Sequence, residues 1–255
     1  MNKSVYRATK ILEHVAFSKE PQSLADICNT SDLPKSSASD VIKTLIDCDY
    51  LRSADGNAKT YELSWKLFNI GTTLLGKTNL YKTAKHHLVK LLEETQQTIY
   101  LAIEDKGNIL YVDKAELNAA YKMTCDVGDR NKMHCTGLGK ALLAAYTKDR
   151  VAEIVKEHGL LEMTENTITT PDALEKELEI SRTRGFALDL AESDDELVCV
   201  AVPVYDRTNL PVAAISISSL KYKVDDEKIQ EFSRKITKTA LAISADLGYS
   251  KDHLY

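Results

Sequence analysis

Two serines near the end of the chain have a spacing that suits ligand binding. Ser216 and Ser218 lie two residues apart in an apolar run that predicts a β-strand, so both hydroxyls leave the same face. Cys199 and Ala201 alternate in the same way in the preceding predicted strand. If the two strands pair, these faces line one cavity whose other wall is apolar. Alternatively, the hydroxyls face solvent or bond to backbone, and Cys199 belongs to an ordinary core.

A glycine-rich segment supplies a second kind of binding group. Thr136-Gly-Leu-Gly-Lys140 leads into a predicted helix, where the first N–H groups have no partner within the helix and the dipole is positive. This arrangement suits a carboxylate. The segment is not a Walker loop, because the four-residue spacer and the Ser or Thr after the lysine are missing. Asp189, which ends a strand predicted to begin near Phe186, adds a carboxylate.

His134 and Cys135 are adjacent, and their residue types suggest a catalytic base and a nucleophile. Neighbours in a strand point to opposite faces, however, so the two side chains cannot act as a nucleophile–base pair. A metal site built from these two residues and distant carboxylates has no ligand-spacing signature. The sequence therefore predicts no catalytic residue, no metal site and no cofactor.

The first 70 residues predict a winged helix-turn-helix. Apolar residues from Val5 to Ala16 form one helical stripe, and Ser23-Leu-Ala-Asp26 resembles a capping box that opens a short second helix. Pro34 suits the first position of a third helix, which runs to about Cys48. Two short strands near residues 50–52 and 60–63, around a turn at 55–57, complete the pattern.

The third helix presents a polar face that suits DNA. In such a fold this helix lies in the major groove and the wing touches the neighbouring backbone, so its hydroxyls and cationic groups contact phosphates. The candidate DNA-binding residues are Lys35, Ser36, Ser37, Ser39 and Lys43 on the helix, with Arg52 and Lys59 on the wing. The alternative is a protein-interaction module whose polar face is solvated.

The rest of the chain predicts a separate α+β domain. Residues 64–75 form an amphipathic helix before a glycine-rich break, and hairpin-paired strands interrupted by helices follow, which favours an antiparallel sheet. We expect a winged helix-turn-helix over residues 1–63, a linker helix over 64–79 and a larger domain over 80–255.

Composition limits the partners and the cellular compartment that the sequence favours. The 255 residues include 33 Lys and Arg against 38 Asp and Glu, a net charge of −5, so bulk charge does not indicate a polyanion partner. No apolar run approaches the ~18 residues of a membrane span, and no apolar segment follows Met1–Lys10 as in a secretory leader. Five scattered cysteines without a Cys-x-x-Cys pair favour reduced thiols. We expect a cytoplasmic protein.

Short motifs occur in a fixed order along nearly the whole chain. In the first part they are Ser4–Ala8, Ile11–Glu13, Ser23–Ile27, Leu33–Ser36 and Tyr61–Leu63. In the second part they are Gly137–Ala144, Thr167–Ile168, Arg184–Phe186, Cys199–Pro203 and Ala213–Ser218. In this order and spacing they resemble the IclR family of bacterial transcriptional regulators.

The resemblance implies a DNA-binding regulator, commonly a repressor, with a dimerising DNA-binding domain and a GAF-like effector-binding domain. It also implies a homodimer or a dimer of dimers, with a double-stranded DNA operator and a small organic acid as partners. The effector pocket of the family maps onto Met123, Gly137, Leu138, Asp189, Leu197, Cys199, Ser216 and Ser218. Further short matches resemble the subgroup that responds to 2-keto-3-deoxygluconate, so the expected effector is a 2-keto sugar acid.

One residue departs from the family pattern. The recognition helix usually carries an arginine where this chain has Asp40, and a carboxylate cannot donate to guanine or phosphate but can accept from cytosine N4. The operator should therefore differ from the common one, unless Asp40 supports the helix start or pairs with Lys43. The rival function is a small-acid-converting enzyme that uses Cys199 or Asp189 and carries the winged helix as an appendage.

Overall fold

The computed structural model describes residues 1–31, 34–54, 59–77, 79–117 and 125–255. The chain divides into two compact units, Met1–Lys77 and Thr78–Tyr255. Met123 and the predicted turn at 55–57 lie outside the described residues. No helix in the described ranges is long and apolar enough to cross a membrane.

The first unit is a winged helix-turn-helix, as the sequence predicts. Its elements are α1 (Lys3–Phe17), β1 (Gln22–Ser23), α2 (Leu24–Ser31), α3 (Lys35–Asp47), β2 (Leu51–Ser53), β3 (Thr60–Leu63) and α4 (Trp65–Lys77). The strands form an antiparallel sheet in the order β1-β3-β2. Aliphatic side chains from the first three helices and β2 meet in one core, which comprises Ile11, Val15, Ile27, Ile42, Leu45 and Leu51.

Local capping fixes where the helices of the first unit begin. Ser23 and Asp26 form the predicted capping box, because the Ser23 N–H donates to the Asp26 carboxylate at 3.0 Å and the Asp26 N–H donates to Ser23 Oγ at 3.3 Å. The prediction that Pro34 takes the first helical position was wrong. Pro34 is the N-cap residue, with an extended ψ of 136°, and its carbonyl accepts the first helical bond from Ala38.

The second unit is an α+β domain built on one antiparallel sheet. Its helices are α5 (Asn79–Thr95), α6 (Gly137–Ala145), α7 (Lys148–His158), α8 (Pro171–Arg184) and α9 (Asp226–Asp246). Its strands are β4 (Thr98–Asp105), β5 (Asn108–Ala115), β6 (Arg130–Lys132), β7 (Ala187–Leu190), β8 (Leu197–Tyr205) and β9 (Pro211–Leu220). They pair in the order β6-β5-β4-β9-β8-β7, and every described neighbour is antiparallel, which confirms the predicted fold class.

The two faces of this sheet carry side chains of different size. Branched residues such as Val200, Val202 and Ile215 fill the face that packs against α5 and α9. Alanines line the face that packs against α6 and α8, at positions 102, 187, 201 and 214. Small side chains let a helix lie close to a sheet, so the alanines allow α6 to pack against β8 and β9.

Two glycines permit close contacts at the start of α6, Gly137 with β8 and Gly139 with the backbone of Met133, which follows β6. A Cβ at Gly137 would lie 3.3 Å from the Cβ atoms of Cys199 and Ala201 on β8. A Cβ at Gly139 would lie 2.1 Å from the carbonyl oxygen of Met133 and 2.3 Å from its Cα. Since those Met133 atoms are backbone, they cannot move aside as a flexible side chain can. The first turn of α6 can therefore sit here only without a side chain at Gly139.

Gly139→Ala should destabilise the second unit by about 1–3 kcal/mol or more, because the new methyl group overlaps the Met133 backbone. Gly71→Ala is the matched control: it lies inside α4 with nothing within 4 Å of its Cβ position, and alanine should stabilise that helix by about 1 kcal/mol. Differential scanning calorimetry of both variants measures the two effects. Equal stability of the two variants would contradict the proposed overlap.

Candidate functional site

A cavity opens between the first turn of α6 and the alanine face of the sheet. Its volume is about 70 Å³, against roughly 10–15 Å³ on the same scale for one water molecule, so it has room for a small organic molecule. The described residues that line it are Tyr100, Tyr111, Cys125, Asn131, Thr136, Gly137, Leu138, Asp189, Ser193, Asp194, Leu197, Cys199, Ser216 and Ser218. Every predicted effector residue within the described ranges is among them.

The sheet contributes a wall of small polar groups. Cys199 lies opposite Ser218, and Ala201 lies opposite Ser216, in the register of β8 with β9. The two serines are almost fully buried; Ser218 Oγ donates to Cys199 Sγ at 3.1 Å and lies 3.5 Å from Ser216 Oγ. Burial raises the pKa of the Cys199 thiol, so the sulfur stays protonated. The wall therefore offers hydroxyls and a neutral thiol for hydrogen bonding, and no nucleophilic thiolate.

The helix contributes unpaired backbone donors. Thr136 caps α6, and its Oγ1 accepts from the Gly139 N–H at 3.1 Å. Nothing among the described residues accepts from the N–H groups of Gly137 or Leu138, which lie at the positive end of the helix dipole. Both residues line the cavity. Donors at a helix start of this kind suit an anionic oxygen.

Asp189 borders the cavity and also holds the loop that follows β7. One carboxylate oxygen accepts from the N–H groups of Glu192, at 2.8 Å, and Ser193, at 3.4 Å. The other accepts from Ser193 Oγ at 2.6 Å. Burial raises the pKa of Asp189, and the hydrogen bond from the Ser193 hydroxyl opposes that rise. Asp189 therefore positions Ser193 at the cavity as well as presenting its own oxygens.

A buried ion pair joins this loop to α6. Lys140 is completely buried and donates to the carboxylate of Glu192, which is itself buried. Burial raises the pKa of Glu192, while the charge of Lys140 lowers it. Thr164 Oγ1 donates to the Ala191 carbonyl and Thr167 Oγ1 to the Glu192 carbonyl, each at 2.7 Å. These contacts fix the Asp189 loop relative to the helix start that supplies the amides.

Two tyrosines line the cavity, and the sequence did not predict them there. Tyr100 lies opposite Ser216 in the pairing of β4 with β9, and its ring meets that of Tyr111 edge-on at 5.0 Å. The Tyr100 hydroxyl donates to the Cys125 carbonyl at 3.1 Å, and burial raises the pKa of both phenols. Strand alternation could have predicted Tyr100: it lies two residues before Ala102, so both side chains leave the alanine face of the sheet. The position of Tyr111 needs the β4–β5 register, which the sequence does not specify.

Neither His134 nor Cys135 is among the lining residues of the cavity. His134 Nε2 donates to the Leu161 carbonyl at 3.0 Å, and burial lowers the pKa of the ring. Burial raises the pKa of Cys135 to about 12, so its thiol is not an activated nucleophile. Both are structural residues next to α6.

The predicted DNA-contacting side chains lie on the outer face of α3. Lys35, Ser36, Ser39 and Lys43 are exposed and Ser37 is half-buried, while Ala38, Ile42 and Leu45 on the other side of α3 are buried. On the wing, Lys59 is exposed. Arg52 Nε donates to the Glu62 carboxylate across the β2–β3 ribbon at 2.9 Å, so its charge is partly neutralised. The cationic groups of this face come mainly from lysines.

The two units match two models of one protein family. Residues 4–55 match the IclR helix-turn-helix domain, and residues 72–245 match the bacterial transcriptional regulator IclR C-terminal domain. The chain belongs to the IclR family. This IclR-family protein is a DNA-binding transcriptional regulator, and the rival interpretation as an enzyme is dropped, because its relatives are named as regulators.

Individual relatives of this regulator agree over nearly its full length. The HTH-type transcriptional regulator KdgR of Escherichia coli K12 is 30% identical over 246 residues, which cover 96% of this chain and 93% of that protein. The crystal structure of the Thermotoga maritima IclR has a TM-score of 0.84 at 32% identity and covers 96% of this chain and 99% of that one. An IclR homologue from Microbacterium hydrocarbonoxydans, complexed with 4-hydroxybenzoate, shares the fold with a TM-score of 0.83 at 21% identity, covering 97% and 100%.

Lys140→Met should destabilise the second unit by about 3–5 kcal/mol, because it leaves the Glu192 carboxylate buried without its partner. Lys140→Met combined with Glu192→Leu should recover most of that loss, since neither charge then remains in the core. Urea unfolding followed by far-UV circular dichroism measures the double-mutant cycle. A double variant as unstable as Lys140→Met alone would show that the two side chains do not interact in solution.

Proposed function

We propose that the regulator is a repressor whose affinity for operator DNA is set by a small hydroxylated organic acid, such as a 2-keto sugar acid. The observation that carries this proposal is the pair of N–H groups at Gly137 and Leu138, which line a small cavity and have no acceptor among the residues that the structure describes. A carboxylate is the ligand group that such a helix start favours. The cytoplasm, where bacterial DNA lies, is the compartment we assign.

The cavity favours an acid with hydroxyl groups over a dicarboxylic acid. Asp189 and Asp194 both line it, and a second ligand carboxylate beside them would be repelled. Ligand hydroxyls can instead donate to Asp189 and accept from Ser216 or Ser218. The two tyrosine rings offer an apolar surface to the carbon chain of the ligand. Together these groups suit one carboxylate at one end of a short polyol.

Two relatives support this class of ligand. The similarity to KdgR agrees with the motif-level likeness to the subgroup that responds to 2-keto-3-deoxygluconate. The homologue from Microbacterium hydrocarbonoxydans was crystallised with 4-hydroxybenzoate, which carries one carboxylate and one hydroxyl. In both molecules a single acid group is combined with hydroxyl oxygen.

We assign a homodimer, or a dimer of dimers, as the DNA-binding form. Trp65 and Phe68 of α4 are 69% and 62% exposed and meet edge-on at 6.0 Å. Contiguous exposed apolar patches mark interaction surfaces, and this aromatic pair supports association through α4. A dimer would present two α3 helices to two operator half-sites about one helical turn apart. A ligand that favours one state of the second unit by about 1–3 kcal/mol would change operator occupancy several-fold to a hundred-fold.

Ser218→Ala should weaken effector binding about tenfold, because it removes a buried hydroxyl that the ligand uses. Ser219→Ala is the matched control: Ser219 is equally buried one residue away but on the opposite face of β9, and its Oγ has no hydrogen-bond partner among the described groups. Isothermal titration calorimetry with 2-keto-3-deoxygluconate, its methyl ester and gluconate measures the effect. The acid should bind and the ester should not.

Equal binding of acid and ester would contradict the role of the α6 amides. Equal weakening by Ser218→Ala and Ser219→Ala would place the ligand elsewhere. Neither outcome bears on the DNA-binding activity, which is measured separately.

Lys43→Gln should weaken operator binding and reduce the slope of log affinity against log salt by about one, because one phosphate contact is lost. Lys19→Gln, which removes an exposed lysine outside α3 and the wing, should leave both quantities unchanged. Fluorescence anisotropy with the protein's own upstream DNA over a salt series is the measurement. A salt-independent signal for the unaltered protein would support a protein-interaction module instead.

A further inference from the structure

Three side chains of types that can coordinate a metal lie together on the second unit, at a place that the effector proposal does not use. His86 and His87 lie in the middle of α5, and Asp246 is the last residue of α9. One donor atom from each of the three lies within 4.8 Å of the others. None of them lines the cavity at α6.

The backbone already holds these donors together. The side chains of α5 and α9 share one core against the branched face of the sheet, so their relative position is set by packing. His87 Nε2 lies 2.9 Å from an oxygen of Asp246, and the His87 side chain is 17% exposed. The C-terminal end of α9 adds the negative end of a helix dipole, which favours a cation beside Asp246.

An ordinary ion pair accounts for His87 and Asp246 but not for His86. The two imidazole rings lie 3.8 Å apart, centre to centre, with only 37° between their planes. In this arrangement a donor nitrogen of His86 lies within 4.8 Å of donor atoms of both His87 and Asp246. The three donors therefore form a group that one metal ion can share.

We propose that His86, His87 and Asp246 bind one divalent transition-metal ion of the zinc class and thereby clip α5 to α9. Two imidazoles and one carboxylate suit Zn²⁺, Co²⁺, Ni²⁺ or Cu²⁺, whereas Mg²⁺ and Ca²⁺ require oxygen donors. Bond lengths of about 2.0–2.2 Å require the donors to rearrange: the widest spacing must shorten, and the 2.9 Å contact between His87 and Asp246 must open slightly to admit the ion. His86 and Asp246 are exposed and can turn inward for this. Water completes the coordination.

The test uses full-length protein without a histidine tag, titrated with Zn²⁺ and with Co²⁺. We expect one ion per chain in calorimetry and, for Co²⁺, visible absorption bands of a low-coordinate site. His86→Ala and Asp246→Asn should each weaken Zn²⁺ binding by about tenfold or more, because each removes a direct ligand. Both positions are at the surface, so the variants should fold; circular dichroism checks this.

His253→Gln is the matched control, since it removes an exposed histidine outside the cluster. It should bind Zn²⁺ as the unaltered protein does, and Mg²⁺ should give no heat with any variant. Equal weakening by His253→Gln would overturn the proposal, as would absence of Zn²⁺ binding to the unaltered chain. Since the readout needs neither DNA nor effector, its failure leaves the proposed regulation untouched.

Discussion

The close contact between the start of α6 and the alanine face of the sheet is the constraint on which the cavity depends. Gly139 must lack a side chain because the Met133 backbone occupies that space, and a Cβ at Gly137 would lie only 3.3 Å from side-chain atoms of β8. The described residues place no acceptor at the first amides of this helix, and the cavity lies beside them. The donors of Gly137 and Leu138 are thus open to the cavity.

The polar residues around this helix start follow from the same constraint. Lys140, one turn into a buried helix, cannot reach solvent, so its charge requires a buried partner, which Glu192 supplies. The pair holds the loop after β7 beside α6. The Asp189 carboxylate accepts from a backbone N–H of this loop, and the hydroxyls of Thr164 and Thr167 donate to its carbonyls. The loop is therefore held to the rest of the domain by hydrogen bonds, while the amides of Gly137 and Leu138 have no acceptor among the described residues.

Local patterns predicted those parts of the site that depend on strand alternation or a helix start. Ser216, Ser218 and Cys199 share a face because side chains alternate with a period of two, and this rule needs no tertiary information. The Lys140–Glu192 pair spans 52 residues of sequence, and no local pattern selects one carboxylate among many at that distance. Similarly, the Arg52–Glu62 ion pair depends on the register between β2 and β3, which the sequence does not specify. Arg52, predicted to contact DNA, therefore has an acidic partner that the sequence analysis did not predict.

The order of elements along the chain bears on how the two units can communicate. The aromatic wall of the cavity includes Tyr100, which lies only five residues beyond the end of α5, and α5 in turn follows α4 of the first unit. Tyr100 lies in β4, which begins three residues after the end of α5, with Gln96 at a positive φ of 56° in the turn between them. The opposite face of the sheet is filled by branched side chains that pack against α5 and α9. The strand that carries the aromatic wall of the cavity is therefore covered on its other face by the helix that precedes it in the chain, so cavity and helix share one densely packed sheet.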